Sequence, residues 1–211
     1  MKRLLKEFAE RAEAWNNRGI VLFILGRFEE AIASYDKAVE IKPDKHEAWY
    51  NRGIALFNLG RFEEAITSYD KALEIKPDDH EAWNNRGIAL RNLGRFEEAI
   101  TSYDQAVEIK PDDHKVWNNR GIALDDLGRF EEAIASYDKA VKLNPDLYQV
   151  WNNRGLALAT LGRFKEAIAS WDKAVKLNPD LHQAWFNRGL ALFKLGRFEE
   201  AIASHDKAVQ K

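Results

Sequence analysis

Two residue types recur at spacings where chemistry has to be weighed. His46, His80, His114 and His182 occupy one place of a 34-residue period, and Ser34, Ser68, Ser102, Ser136, Ser170 and Ser204 occupy another. Histidine in such a series suggests a metal site or proton transfer, and serine a nucleophile. The period argues against both. Successive histidines sit one repeat apart, too far to share an ion whose ligand bonds are about 2 Å long, and no histidine accompanies the serine within the repeating motif. The chain has no cysteine, so it has no thiol chemistry and no disulfide framework. All 12 glycines fall in two periodic columns, Gly19 to Gly189 and Gly26 to Gly196, which leaves none for a phosphate-cradling loop. No cofactor, metal or catalytic residue is expected, and the chain reads as a non-enzyme.

The polar groups better suited to binding are amides. The pentapeptide WNNRG begins at Trp15, Trp83, Trp117 and Trp151, with WYNRG at Trp49 and WFNRG at Trp185. A carboxamide carries donor and acceptor together, so it can answer the N–H and the C=O of a peptide unit. The second amide forms an unbroken column: Asn17, Asn51, Asn85, Asn119, Asn153 and Asn187. The first gives Asn16, Asn84, Asn118 and Asn152, with Tyr50 and Phe186 in the remaining places.

The elements that carry these columns follow from the same period. All five prolines, Pro43 to Pro179, lie 34 residues apart, and residues 46–79 differ from 80–113 at only four places. The repeats are set at 12–45, 46–79, 80–113, 114–147, 148–181 and a shortened 182–211, with residues 1–11 an N-terminal helical extension or cap. Each repeat reads as two helices. In residues 78–113, Asp78 with Glu81 resembles an N-terminal capping box, and a helix runs to about Leu93. Gly94 supplies the left-handed turn. A second helix starts near Arg95, with Glu97 and Glu98 in its first turn where the dipole favours anions, and stops before Pro111. A pair this short cannot bury its apolar face alone, so the pairs must stack.

At about 100° per residue, the first helix of the third repeat has two faces. Trp83, Arg86, Gly87, Leu90 and Leu93 share one, which packs on the second helix. Asn84, Asn85, Ile88 and Arg91 share the other. Gly87 is expected to let the two helices approach closely, with Trp83 supplying bulk beside the contact. The arginine column, Arg18 to Arg188, lies on the packing side and needs an acceptor. One acid per second helix, Asp36 to Asp206, is expected to pair with it.

The series Trp83, Gly87, Leu90, Ala99, Tyr103, Ala106 and Pro111 resembles the signature of the tetratricopeptide repeat (TPR) family, here in six concordant repeats over residues 12–211, in the manner of bacterial or consensus-like arrays. The resemblance implies an all-α, right-handed α-solenoid (superhelix) of six helix-turn-helix units. It also implies that first helices line a concave groove that binds an extended or helical peptide. The arginine column departs from the family, which usually carries leucine there. The groove face also lacks the lysine and further asparagine of TPR domains that clamp a chaperone's C-terminal carboxylate, with Lys115 as a lone basic candidate. On this reading the peptide-binding residues are the amide columns with Tyr50, Phe186, Arg91 and Asp125. The variable groove letters, Phe23, Ile24, Phe57, Arg91, Asp125, Asp126, Thr160, Phe193 and Lys194, form the specificity code. A second reading stays open: a structural or engineered consensus array with no dedicated ligand.

The expected partner is therefore a protein or peptide. A formal net charge of −2 gives no general attraction to nucleic acid or to an anionic membrane, and a basic, aromatic RNA-reading groove is missing. No apolar run approaches a membrane span, and residues 1–11 are too charged for a signal peptide, which points to a soluble, cytoplasmic protein. The first helix is expected to run unbroken from near Arg3 to Leu25, with Leu4, Leu5 and Phe8 as a cap or handle. The last helix is expected to expose apolar side chains and to support homo-oligomer contacts through the part of Phe198, Ala201, Ile202, His205 and Val209 that does not pack within its own repeat.

Overall fold

The computed structural model describes residues 2–210, and side chains from residue 7 onward. Among these residues there are twelve α-helices and no strand: α1 (Lys2–Ile24), α2 (Phe28–Ile41), α3 (His46–Asn58), α4 (Phe62–Ile75), α5 (His80–Asn92), α6 (Phe96–Ile109), α7 (His114–Asp126), α8 (Phe130–Leu143), α9 (Tyr148–Thr160), α10 (Phe164–Leu177), α11 (His182–Lys194) and α12 (Phe198–Val209). The uninterrupted α1 matches the expectation drawn from the lack of a proline before the first repeat. Phe8 is 47% exposed, while Leu4 and Leu5 lie outside the described side chains.

Local chemistry sets each boundary. In α4 the buried residues are Ala65, Ile66, Ser68, Tyr69, Ala72 and Leu73, an apolar stripe at helical spacing. The helix closes with the Lys76 N–H on the Ala72 carbonyl, just before Pro77. The turn between α5 and α6 uses Gly94 at φ +73°, where the Gly94 N–H donates to Arg91 O at 2.9 Å and the Arg95 N–H to Leu90 O at 3.0 Å. That pair of bonds is a Schellman closure, and it needs a residue tolerant of positive φ. The start of α5 corrects the capping assignment by one residue. Asp79, not Asp78, accepts the N–H groups of Glu81 and Ala82, both at 3.2 Å. Asp113 caps α7 in the same way through Lys115 N.

The chain divides into two compact units, residues 1–111 with α1 to α6 and residues 112–211 with α7 to α12. Within each unit, the first helix of a repeat packs on the second, the second packs on the first helix of the next repeat, and neighbouring first helices touch. Second helices do not touch one another among the described residues, so first helices make up one side of the unit. The tight contact inside a repeat is glycine against tyrosine. A Cβ on Gly87 would lie 2.6 Å from Tyr103 Cε1, and Tyr103 is fully buried. The close approach expected at Gly87 is thus present, and the ring that lies over the glycine is the tyrosine of the second helix. Trp171 takes the same place in the fifth repeat and His205 in the sixth.

Candidate functional site

The arginine column sits at the joint between repeats. Arg52 Nε donates to Asp36 Oδ1 of the preceding repeat at 2.6 Å, and its NH1 donates to Ser68 Oγ of its own repeat at 2.7 Å. Arg86 meets Asp70 and Ser102, Arg154 meets Asp138 and Ser170, and Arg188 meets Asp172 and Ser204, each with the Nε–Oδ1 distance at 2.6 Å. The serine hydroxyl in turn donates a hydrogen bond to a carbonyl four residues back, as in Ser68 to Glu64 O at 2.9 Å. The guanidinium also lies over the tryptophan of its own motif, 6.0 Å from the ring centre for Arg52–Trp49 and 5.7 Å for Arg86–Trp83. That tryptophan is anchored separately, its indole N–H donating to the Pro43 or Pro77 carbonyl at 2.9 Å. The expected arginine–aspartate pair is thus present between repeats. The serine partner was not foreseen, because a serine column looks like any other column in a duplicated sequence.

The asparagines differ between the two units. In the first, Asn51 Nδ2 donates to Asn16 Oδ1 at 3.1 Å and Asn85 Nδ2 donates to the Tyr50 hydroxyl at 2.9 Å, so these amides tie one first helix to the next. Burial, with Glu81 and Asp79 nearby, pushes the Tyr50 phenol up to about 12. Asn84 Nδ2 donates to Asn85 Oδ1 at 3.3 Å, Asn16 is buried and Asn17 is exposed. In the second unit, Asn118 Oδ1, Asn152 Oδ1 and Asn187 Nδ2 are buried with no hydrogen-bond partner. The Asn187 amide is oriented by Gln183 Nε2, which donates to its Oδ1 at 3.0 Å. A buried polar atom left unpaired costs about 1–3 kcal/mol, so these three are under-used acceptors and donors. Asn119 and Asn153 are half-buried on the same helices, and Arg91 is half-buried on α5. Phe186 is 45% exposed, its ring edge-on to His205. Asp125 is half-buried with Oδ1 unpaired, and its pKa is raised by burial and then by Asp126.

Pockets open on the first-helix side at one repeated place. The first is lined by Ile20, Phe23, Tyr35, Asn51 and Ile54 and holds about 80 Å³. The second, one repeat on, is lined by Ile54, Phe57, Tyr69, Asn85 and Ile88 and holds about 130 Å³. In the second unit the equivalent place is lined by Leu156, Ala159, Trp171, Asn187 and Leu190, among others, and holds about 290 Å³. Among the described residues no group of three or more His, Cys, Asp or Glu is arranged to hold a metal, and no helix is long and apolar enough to cross a membrane. The last helix shows Phe198 53%, Ile202 61% and Val209 78% exposed, where the equivalent Ile168 is 4% exposed.

Comparison with known proteins places this geometry in context. The family model described as a tetratricopeptide repeat matches residues 50–114, 118–180 and 153–211, and one described as a TPR repeat matches residues 19–60. No curated protein matches the chain. Among solved structures, MamA from Desulfovibrio magneticus RS-1 is similar at TM-score 0.76 and 25% identity, over 81% of this chain and 97% of that one. YrrB, described as a TPR protein with an unusual peptide-binding site, gives TM-score 0.75 at 24% identity over 87% and 94% of the two chains. Pseudomonas aeruginosa pilF gives 0.76 at 20% over 94% and 90%. At the last two identities the likeness shows the fold alone.

Proposed function

The chain belongs to the tetratricopeptide repeat family, and from that premise we propose that it is a protein-interaction scaffold whose first-helix face takes a peptide segment of a partner. The observation that carries this reading is the set of unpaired amide atoms on one side of the second unit, Asn118 Oδ1, Asn152 Oδ1 and Asn187 Nδ2. A peptide backbone supplies the missing complements, N–H for the two carbonyl oxygens and C=O for the amide nitrogen. The first unit spends equivalent amides between its own repeats, so there the face contributes chiefly the apolar pockets between Ile20 and Ile88. Arginine, aspartate, serine and glycine columns hold the helices that present this face, and the tyrosine column forms the floor of its pockets.

The chemistry of the face supports a scaffold rather than a catalyst. The periodic serines lie behind that face on the second helices, where they donate to helix carbonyls and accept from arginine, and no histidine is hydrogen-bonded to any of them among the described residues. The test is selection from a displayed peptide library against the whole chain, followed by titration of the selected peptides into an Asn118→Ala, Asn152→Ala variant. Affinity should fall about tenfold while helical content is unchanged. An array without a dedicated ligand would select no peptide, and peptides that bind the variant as well as the parent would show that the amides do not read them.

A further inference from the structure

The pocket between α9, α10 and α11 is larger than its two counterparts, and a small residue stands in it where they have phenylalanine. In three repeats a phenylalanine near the end of the first helix leans on the phenylalanine that opens the second. Ring centres are 5.2 Å apart for Phe23–Phe28 and Phe57–Phe62, and 5.6 Å for Phe193–Phe198. The fifth repeat has Ala159 at that place, and no ring meets Phe164 among the described residues. The space shows in the volume, about 290 Å³ against about 130 Å³ and 80 Å³ where phenylalanine is present. A cavity of about 150 Å³ accommodates benzene, so of these three equivalent pockets the one beside Ala159 has room for a phenyl ring.

The polar groups around it are biased toward donors. Trp171 is 1% exposed, forms part of the lining, and keeps an indole N–H with no acceptor. Asn187 Nδ2 is likewise unpaired, whereas its equivalents Asn51 and Asn85 donate to the preceding repeat. Lys194 is exposed at the rim and no carboxylate lines the pocket. Thr160 has committed its proton to Leu156 O at 3.1 Å.

We propose that the pocket between α9, α10 and α11 binds an aromatic side chain lying next to a carboxylate on the partner peptide. The ring takes the place over Phe164 that Phe23, Phe57 and Phe193 fill in their own repeats. The carboxylate meets Lys194, and the unpaired N–H of Asn187 receives a remaining oxygen acceptor of the ligand, while the Trp171 indole, seated over Gly155, floors the pocket. This rests on the scaffold reading and gives its partner a chemical class, an aromatic–acidic segment. The ring should dominate, since its burial removes apolar area from water while an exposed lysine–carboxylate pair contributes little.

The probe for the pocket is 3-phenylpropionate, titrated into the full chain with the Trp171 indole N–H followed by two-dimensional NMR and assigned with Trp171→Phe. A saturable shift at millimolar concentration is expected. It should be weakened about tenfold or lost in Ala159→Phe, which restores the residue three other repeats carry. Ala159→Leu, a smaller filler, should weaken it in the same direction if the first variant folds poorly. Lys194→Gln should weaken 3-phenylpropionate but leave 3-phenylpropionamide unchanged. A Trp171 signal that does not move in the parent, or that moves in both filled variants as far as it does in the parent, overturns the proposal. An N-acetylated, C-amidated Gly-Phe-Glu-Gly peptide should bind more tightly than Gly-Ala-Glu-Gly, and equal binding also overturns it. Peptides that lose affinity in the Asn118, Asn152 variant yet ignore Ala159→Phe would sink the pocket while leaving the scaffold standing; a chain that takes no peptide removes the scaffold reading itself.

Discussion

At the scale of single residues, exposure decides how much each polar contact matters. The arginine side chains of the inter-repeat joint are 19% exposed at Arg86 while Asp70 is 45% exposed, so the pair is neither fully buried nor free. Buried pairs lose about 3–5 kcal/mol when one partner is removed and surface pairs under about 1 kcal/mol. A double-mutant cycle on Arg86→Ala and Asp70→Ala should give a coupling of about 1 kcal/mol, and a value near zero would mean that Ser102 and the Trp83 face hold the arginine without the acid. Asp125 offers a pH test. Burial raises its folded pKa above the ordinary carboxylate value, so the folded state binds the extra proton between the two values. Stability falls as pH rises through that window and stays lowered above it. Asp125→Asn should therefore raise the unfolding midpoint at pH 7, by less than about 1 kcal/mol because the group is half exposed, and the advantage should vanish below both values. An unchanged midpoint at pH 7 would show that water satisfies the carboxylate. The arginine–aspartate pairing was legible because both columns were periodic and a guanidinium on a packing face demands an acceptor. The direction of the asparagine amides was not, since each depends on whether the neighbouring repeat offers a partner, as Asn16 and Tyr50 do.

At the scale of elements, the helix pair is set by a glycine and a ring. Replacing Gly87 with Ala gains about 1 kcal/mol of helix propensity, but its Cβ would lie 2.6 Å from the buried Tyr103 ring. Overpacking of this kind costs about 1–3 kcal/mol, so a lower thermal midpoint is expected for Gly87→Ala, and a higher one would contradict the packing account. Gly94→Ala meets no neighbouring atom and should lose only about 1 kcal/mol, through its φ of +73°. Helix number, type and order were readable from the 34-residue period, the prolines and the glycines. Close approach at Gly87 was legible from the periodic glycine, but which second-helix residue lies over it was not, since only the crossing of α5 and α6 puts Tyr103 there. Ala159 carried a legible signal, a small residue where three repeats have phenylalanine, but its meaning required the Phe23–Phe28 geometry.

At the scale of the molecule, repetition fixes the scaffold and variation marks the sites. Three repeats suffice in general for a stable stack, so residues 1–111, which hold three helix pairs in one compact unit, should be helical and unfold cooperatively when expressed alone. Circular dichroism through a denaturant series checks this, and a gradual, non-cooperative loss of signal would count against it. The central claim is that the unpaired amides of the second unit read a peptide backbone. The most direct measurement is the affinity of a library-selected, fluorescently labelled peptide for the parent, for the Asn118→Ala, Asn152→Ala variant, and for a Lys173→Ala control at an exposed position of α10. The account predicts about tenfold weaker binding for the amide variant alone, with all three chains equally helical. Equal affinity across the three would contradict it.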